Sequence, residues 1–242
     1  MSSKRSRIRK TLIFLNSIFL IIIIIFTPLA YHIFNLNYYE DLYEDNGVYY
    51  SLNKDDVLKV TVKIYEFFKY REELRPVDYD TQVRFNDEIK SEATNFSDDE
   101  IRHLGDVRSL LLKIFVLYCA GILLFIITTF FIIKIKTGIF LKDLGTVFMI
   151  SSGIVLFFIL LLYLLGNNFP VLFDNFHRLF FPQGNFSFPS GSLIITIFPF
   201  GFFYDFFLRI ILSSAVLSAI ILAVGIILIN VYRFKKHSTD GR

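Results

Sequence analysis

The run from Ile114 to Ile133, IFVLYCAGILLFIITTFFII, contains no charged residue and is long enough to cross a bilayer as a helix. Three further uncharged runs occupy residues 11–39, 144–166 and 210–232. The chain of 242 residues is 54% hydrophobic and 18% aromatic, and its mean hydropathy is +0.55. Because these values exceed those of soluble domains, they predict an α-helical polytopic membrane protein with four transmembrane helices.

The charges that flank these runs predict the orientation of the chain. Lysines and arginines gather at both termini and after Ile133, whereas residues 37–108 contain eighteen Asp and Glu against ten Lys and Arg. With four spans, the three basic flanks fall on one side, and the positive-inside rule makes that side cytoplasmic. The acidic region and residues 167–208 are then both expected to be extracellular.

These patterns set the boundaries that we expect along the chain. The first run is retained as a helix, because Pro28-Leu29-Ala30 is a poor signal-peptide cleavage site. The expected parts are a cytoplasmic N-terminus 1–10, TM1 11–36, a small, mostly helical extracellular cap 37–108, TM2 109–134, a cytoplasmic loop 135–142, TM3 143–166, a phenylalanine-rich extracellular or re-entrant segment 167–208, TM4 209–232 and a cytoplasmic tail 233–242.

The cap sequence predicts two helices and two extended stretches. Asn53 is a suitable N-cap for the first helix, and Ser97 with Glu100 forms a capping box for the second, which continues into TM2. Residues 47–52 favour a short strand, and residues 76–86 favour an irregular or weakly extended chain. The apolar face of the first helix recurs at helical spacing and comprises Val57, Val60, Ile64, Phe67 and Phe68.

The segment from Phe176 to Phe188, FHRLFFPQGNFSF, differs from an ordinary connection between helices. It contains no acid, but it has five phenylalanines, a His-Arg pair, a proline and a glycine. Because Pro182 and Gly184 interrupt regular helix, we expect a turn or a short re-entrant piece here. Non-helical backbone at membrane depth is tolerated only when it is buried in protein or lines a cavity, so the segment predicts a pocket.

Two of the four histidines are candidates for chemistry. His103 has Asp106 three residues later on the same helical face, where a carboxylate can orient an imidazole and raise its basicity. His177 lies beside Arg178, and ionisable residues at membrane depth are functional candidates. The structural alternatives are a surface histidine and a packed loop histidine. The remaining two, His32 and His237, are expected to be interfacial and solvent-exposed.

Three chemistries are compatible with two histidines on the same side of a membrane. The first is general acid–base catalysis of acyl transfer, without a protein nucleophile. The second is a zinc site, although no spacing of the HExxH kind is present. The third is a serine nucleophile from Pro189-Ser190-Gly191-Ser192, which lacks the G-x-S-x-G elbow. The side chains considered for the zinc site are His103, His177, Asp106, Glu100 and Asp205.

A known family shares this combination of motifs. The first motif, F-S-x-x-E-x-x-H-L-x-D-V, runs from Phe96 to Val107, and the second, F-H-x-L-F-F-P-x-G-x-F-x-F, runs from Phe176 to Phe188. Phe198-Pro199 and Asp205 follow. With its basic start, four spans and cap after TM1, the chain resembles the lipoprotein intramolecular transacylases (Lit) of Gram-positive bacteria over nearly its whole length.

The resemblance implies a membrane acyltransferase that acts on a diacylglyceryl-modified lipoprotein. The sn-2 acyl chain moves to the α-amine of the N-terminal cysteine, giving the lyso form without a covalent acyl-enzyme. Catalysis is assigned to His103 and His177, with Asp106 and Arg178 in support. The implied substrate-binding residues are Phe180, Phe181, Gly184, Phe186, Phe188 and Asp205.

The expected partners are the lipoprotein substrate and membrane lipid, with no cofactor, metal, nucleic acid or obligate protein partner. Two other hypotheses stay open at this point. One is a non-enzymatic membrane protein whose acidic cap binds a partner, in which both histidines are replaceable. The other is a metal-dependent membrane hydrolase, which strong chelators should inhibit.

Overall fold

The computed structural model describes residues 3–75, 82–86, 94–135, 139–184 and 186–240, and most of this part of the chain is helical. A 3₁₀ turn spans Gly166–Asn168. The predicted α-helical class is confirmed. The helices are α1 Ser3–Ile33, α2 Asn37–Asp45, α3 Val48–Ser51, α4 Lys54–Phe68, α5 Asp98–Lys134, α6 Phe140–Leu165, α7 Phe169–Phe180, α8 Leu193–Ile197 and α9 Phe200–Asp240.

In the part of the chain that the structure describes, four helical stretches are long and apolar enough to cross a membrane, as expected for a multi-pass membrane protein. Each has a mean hydropathy of 2.7 over its most apolar window. A bilayer core needs only about 20 helical residues, so these helices extend beyond the spans that they contain. The stretches are Lys4–Ile33, Asp98–Lys134, Phe140–Phe180 and Phe200–Ser238.

The chain forms two compact units, and the first combines the described parts of residues 1–29, 114–164 and 210–242. Its hydrophobic core contains Leu20, Ile24, Val147 and Val155. Side-chain hydrogen bonds cross between helices inside this unit. Nδ2 of Asn16 donates to Oγ1 of Thr128 at 2.7 Å, and Oγ of Ser151 donates to the carbonyl oxygen of Ser17 at 3.0 Å. Such polar contacts stabilise the association of helices in a bilayer, where the hydrophobic effect provides little driving force because the lipid is itself apolar.

A partly buried ion pair also joins α1 to α6 within the first unit. Two guanidinium nitrogens of Arg9, Nε and Nη2, donate to the carboxylate of Asp143, and the distance from Nε to Oδ2 is 2.7 Å. Only 2% of the Asp143 side chain is exposed. Two buried opposite charges compensate each other's loss of water, whereas removal of one partner leaves the other uncompensated.

The second unit combines residues 30–113 and 165–209. Asn53 caps α4 as predicted, since its Oδ1 accepts the backbone N–H of Asp56 at 3.2 Å. The predicted apolar face of α4 is also confirmed, with Phe68 only partly buried. The buried core of this unit comprises Leu42, Tyr43, Val48, Leu52, Val57, Val60, Ile64, Phe67, Leu74, Val83, Phe96, Leu104, Leu193, Ile194, Ile197 and Phe202.

The strand expected over residues 47–52 is wrong. Val48–Ser51 form the short helix α3, preceded by Gly47 at a φ of 69°. The pattern misled because these residues are apolar and aromatic, but Gly47 turns the chain into a helical turn that buries Val48. Among the described residues, extended pairing is limited to isolated bridges, from Leu52 to Phe85 and from Val83 to Thr94. The expected irregular stretch 76–86 lies partly outside the described residues.

The expectation of a turn from Phe176 onward is correct only for its second half. Helix α7 continues to Phe180, so His177 and Arg178 are helical. The turn begins at Phe181, whose carbonyl oxygen accepts the N–H of Gly184 at 3.0 Å. A proline disfavours helix at the residue before it, not several residues earlier, which explains why the helix extends as far as it does.

We expect Asp143→Asn to lower the free energy of unfolding by about 3 kcal/mol, because Arg9 then keeps a largely buried charge without a counter-ion. Equilibrium unfolding in mixed detergent micelles measures this change. Lys54→Ala is the control, since it breaks an exposed pair with Glu40 and should cost less than about 1 kcal/mol. Equal stability of Asp143→Asn and the unmodified protein would contradict this assignment.

Candidate active site

The two predicted histidines meet in the second unit. The rings of His103, on α5, and His177, on α7, stack with their centroids 6.0 Å apart and their planes 24° from parallel. The exposed fractions of these residues are 7% and 8%. Burial disfavours the charged imidazolium form, and two adjacent cations would also repel each other. The arrangement therefore favours neutral rings before substrate binds.

The predicted capping box begins α5, the helix that carries His103. The backbone N–H of Ser97 donates to Oε2 of Glu100 at 2.6 Å, and the N–H of Glu100 donates to Oγ of Ser97 at 3.3 Å. These bonds satisfy two N–H groups at the helix start. Glu100, His103 and Asp106 follow one another at three-residue intervals, so they lie along one face of α5.

Helix α7 fixes the tautomer of His177. Nδ1 of this ring lies 2.8 Å from the carbonyl oxygen of Phe173, one turn earlier. Because a carbonyl oxygen only accepts hydrogen bonds, Nδ1 carries the proton and Nε2 keeps a lone pair. Nε2 of His177 is therefore available to accept a proton.

Among the described residues, none forms a hydrogen bond with Nδ1 of His103, although this atom is buried. Buried polar atoms without a partner are rare in folded proteins and call for an explanation. A bound substrate that supplies the missing partner is one such explanation. The two rings thus differ, since one nitrogen of His177 is satisfied and oriented while Nδ1 of His103 is not.

Aromatic rings surround the histidine pair. Phe181, 3% exposed, lies 5.0 Å from the His103 ring and 5.7 Å from the His177 ring between centroids. Phe188 lies 5.6 Å from His103, and Phe186 lies 5.3 Å from His177. The structure thus brings three of the predicted phenylalanines to the histidines.

Other predicted residues lie in different surroundings. The Phe180 ring packs on Phe176 at 4.8 Å between centroids and is 43% exposed. Arg178 forms an exposed ion pair with Asp174 on its own helix. Asp205 accepts a hydrogen bond from Nδ2 of Asn46 at 2.9 Å. Gly184, at a φ of 81°, completes the turn after α7.

Asp106 contacts the phenylalanine-rich segment. Its Oδ2 accepts a hydrogen bond from Nε2 of Gln183 at 2.8 Å. Sequence reasoning missed Gln183 and also Phe173, whose ring lies 4.2 Å from that of His177. The spacing of four residues between Phe173 and His177 was a usable signal, but only for a helix that continued past Phe176.

The alternative metal and serine sites receive no geometric support. Within the described ranges, no group of three or more His, Cys, Asp or Glu side chains has the arrangement of a metal site. Both carboxylate oxygens of Glu100 already accept backbone N–H groups. Oγ of Ser192 is buried without a hydrogen-bond partner among the described residues, so it has no base to activate it.

Comparisons with known proteins identify the family of this chain. The sequence model of the family described as lipoprotein intramolecular transacylase Lit matches residues 14–203. Among curated proteins, no sequence matches the chain. The in meso structure of the membrane integral Lit from Bacillus cereus is similar at a TM-score of 0.72 and 18% identity, covering 98% of this chain and 100% of that one.

Two structures of the same Bacillus cereus protein with one substitution each are also similar, both at 18% identity and covering 98% of this chain. Their TM-scores are 0.66 and 0.67, and 96% and 97% of their own chains are covered. At such low identity the likeness establishes the fold. Because the family's sequence model matches most of its length, the chain belongs to the lipoprotein intramolecular transacylase family, Lit, and is a membrane-integral acyltransferase.

Proposed function

We propose that the protein moves the sn-2 acyl chain of a diacylglyceryl lipoprotein to the α-amine of its N-terminal cysteine. The product is an N-acylated lyso-form lipoprotein. The observation that carries this proposal is the buried pair of His103 and His177. Nδ1 of His177 is bonded to Phe173, whereas Nδ1 of His103 has no hydrogen-bond partner among the described residues. General acid–base catalysis by two such rings needs no nucleophile from the protein.

His177 is the general base in this proposal. The substrate amine has a pKa of about 7.7–8.0, so part of it is neutral near pH 7. As the amine nitrogen attacks the ester carbonyl carbon, Nε2 of His177 accepts a proton from it. The new C–N bond forms, and the carbonyl oxygen becomes an oxyanion.

His103 stabilises that oxyanion through a ring N–H in this proposal. The C–O bond of the ester then breaks, and the glyceryl oxygen takes the proton held by His177. The result is an amide and a free hydroxyl group, with no net gain or loss of protons. Proton transfer by a positioned side chain contributes about 10²–10⁴-fold to such a rate.

The phenylalanine rings keep water from the reacting ester. Hydrolysis is the competing reaction, because water attacks the same carbonyl carbon as the amine. Phe181 contacts both histidines and is almost completely buried, so it stands where water would otherwise reach them. A site closed to water also strengthens the hydrogen bonds made inside it.

The reaction needs no nucleotide, since conversion of an ester to an amide is downhill. This suits a site outside the cell, where ATP is absent. The basic flanks of the spans support an orientation with both termini in the cytoplasm. In that orientation, the second unit and its histidines lie on the extracellular side, where lipoproteins carry their lipid-modified cysteine.

We expect His103→Ala and His177→Ala each to slow conversion of a synthetic diacylglyceryl lipopeptide by about 10²–10⁴-fold, because each removes a proton-transfer or hydrogen-bonding group. Substrate and product have the same mass, so tandem mass spectrometry must locate the acyl chain. His237→Ala is the matched control, since His237 is exposed, and it should react at the rate of the unmodified protein. Wild-type conversion by either site variant would refute the assigned roles.

We expect the ring of His177 to be the neutral tautomer protonated at Nδ1, because Phe173 offers only a carbonyl acceptor there. Nitrogen NMR of protein labelled at histidine distinguishes the two tautomers, and a His177→Gln sample assigns the signals. A proton at Nε2 in the substrate-free protein would argue against His177 as the base.

We expect Phe181→Ala to raise the share of substrate lost to hydrolysis severalfold, because the space left beside both histidines admits water. The measured ratio is free fatty acid to N-acylated product. Leu179→Ala is the control, since this side chain is 72% exposed on the same segment. An unchanged ratio in Phe181→Ala would show that this ring does not exclude water.

A further inference from the structure

Glu100 is buried far more completely than a helix cap requires. Only 2% of the residue is exposed, and each carboxylate oxygen accepts one backbone N–H. Oε2 binds Ser97 at the start of its own helix, whereas Oε1 binds Ile194, in α8, at 2.8 Å. The second bond crosses 94 residues of sequence, so Glu100 does more than begin α5.

The bond to Ile194 replaces a missing cap on α8. The first N–H groups of a helix have no partner inside it, and Ser192, at the N-cap position of α8, makes no side-chain hydrogen bond. Glu100 supplies an acceptor from another helix. Just before α8, the N–H of Ser192 donates to the carbonyl oxygen of Pro189 at 3.1 Å, which forms a tight turn directly after Phe188.

This turn ties the position of Phe188 to that of Ile194. The Phe188 ring packs edge-on against His103, with 5.6 Å between centroids, and His103 lies one helical turn after Glu100. Glu100 is therefore connected to His103 in three steps. A hydrogen bond joins Glu100 to Ile194, the turn before α8 joins Ile194 to Phe188, and a ring contact joins Phe188 to His103. All of these residues belong to the same compact unit.

His103 depends on such packing more than His177 does. The bond to Phe173 orients the ring of His177, but no described residue bonds to Nδ1 of His103. The rings of Phe181 and Phe188 therefore have a large share in holding His103 at its angle to His177. Displacement of Phe188 would free the His103 ring to turn away from the reacting atoms.

We propose that Glu100 is a positioning residue, which holds His103 in its reactive orientation by fixing α8 and Phe188 against it. This inference rests on the proposed acyl transfer for its kinetic consequence. The hydrogen bond to Ile194 is independent of that function and is tested separately.

The test uses the full-length protein in lipid nanodiscs with a synthetic diacylglyceryl lipopeptide. Glutamine has one acceptor oxygen, so Glu100→Gln keeps only one of the two backbone bonds. We expect kcat to fall about tenfold to a hundredfold, as small misplacements of catalytic groups do, while KM changes less than twofold. Glu100→Asp keeps a carboxyl group but is one methylene too short to bridge both amides, so we expect the same loss of kcat.

Ser97→Ala is the matched control for capping. It removes the bond from the N–H of Glu100 to Oγ of Ser97 but leaves both bonds of the Glu100 carboxylate. We expect this variant to keep the wild-type kcat. Equal losses in Ser97→Ala and Glu100→Gln would overturn the proposal, because Glu100 would then act only as a helix cap.

A double-mutant cycle identifies the route of the effect. If Glu100 acts through Phe188, adding Glu100→Gln to the Phe188→Leu protein should lower kcat by less than a further twofold. The effects of two substitutions in one contact network are not additive. Losses that multiply fully would overturn the proposal. So would failure of both Glu100→Gln and Glu100→Asp to fold, which would mark a purely structural residue.

Hydrogen exchange at the amide of Ile194 separates this inference from the proposed function. We expect protection in the unmodified protein and in Ser97→Ala, and its loss in Glu100→Gln. If the unmodified protein converts no lipopeptide, the proposed function fails whatever the exchange result. If it converts lipopeptide but exchange at Ile194 is unchanged by Glu100→Gln, the role of Glu100 fails alone.

Discussion

A polar group that is buried must find a partner inside the protein, and the site depends on this constraint more than on any other. The carboxylate of Glu100 accepts hydrogen bonds from two backbone N–H groups, and Nδ1 of His177 bonds to the carbonyl oxygen of Phe173. Among the described residues, Nδ1 of His103 has no such partner. We propose that the substrate bonds to this nitrogen and to the lone pair on Nε2 of His177.

In the proposed reaction, the same constraint favours two neutral rings. An imidazolium among these aromatic rings would need a counter-ion, and that counter-ion would need further hydrogen bonds. Imidazoles avoid this because they exchange protons while remaining neutral at rest. The proposed reaction suits this pair of histidines, since amine and ester arrive on one molecule and only their orientation has to be fixed.

The first unit pairs some of its buried polar groups between helices. Asp143 has Arg9, and Asn16 has Thr128. Close backbone contact adds to these bonds, since a Cβ on Gly145 would lie 2.8 Å from the carbonyl oxygen of Gly225. Small residues at helix contacts are a general device of membrane proteins, and here they hold α6 against α9 without any part in the proposed chemistry.

The amino-acid sequence by itself determined the four apolar helices, the cap of α4 at Asn53 and the capping box before His103, because each depends on residues a few positions apart. It also indicated both histidines and the rings of Phe181, Phe186 and Phe188 near them. It misjudged residues 47–52 and the end of α7, where local patterns suit more than one backbone. Only the tertiary structure decided that His103 stacks on His177 and that Glu100 reaches Ile194, because contacts between residues far apart in the chain leave no periodic signal in it.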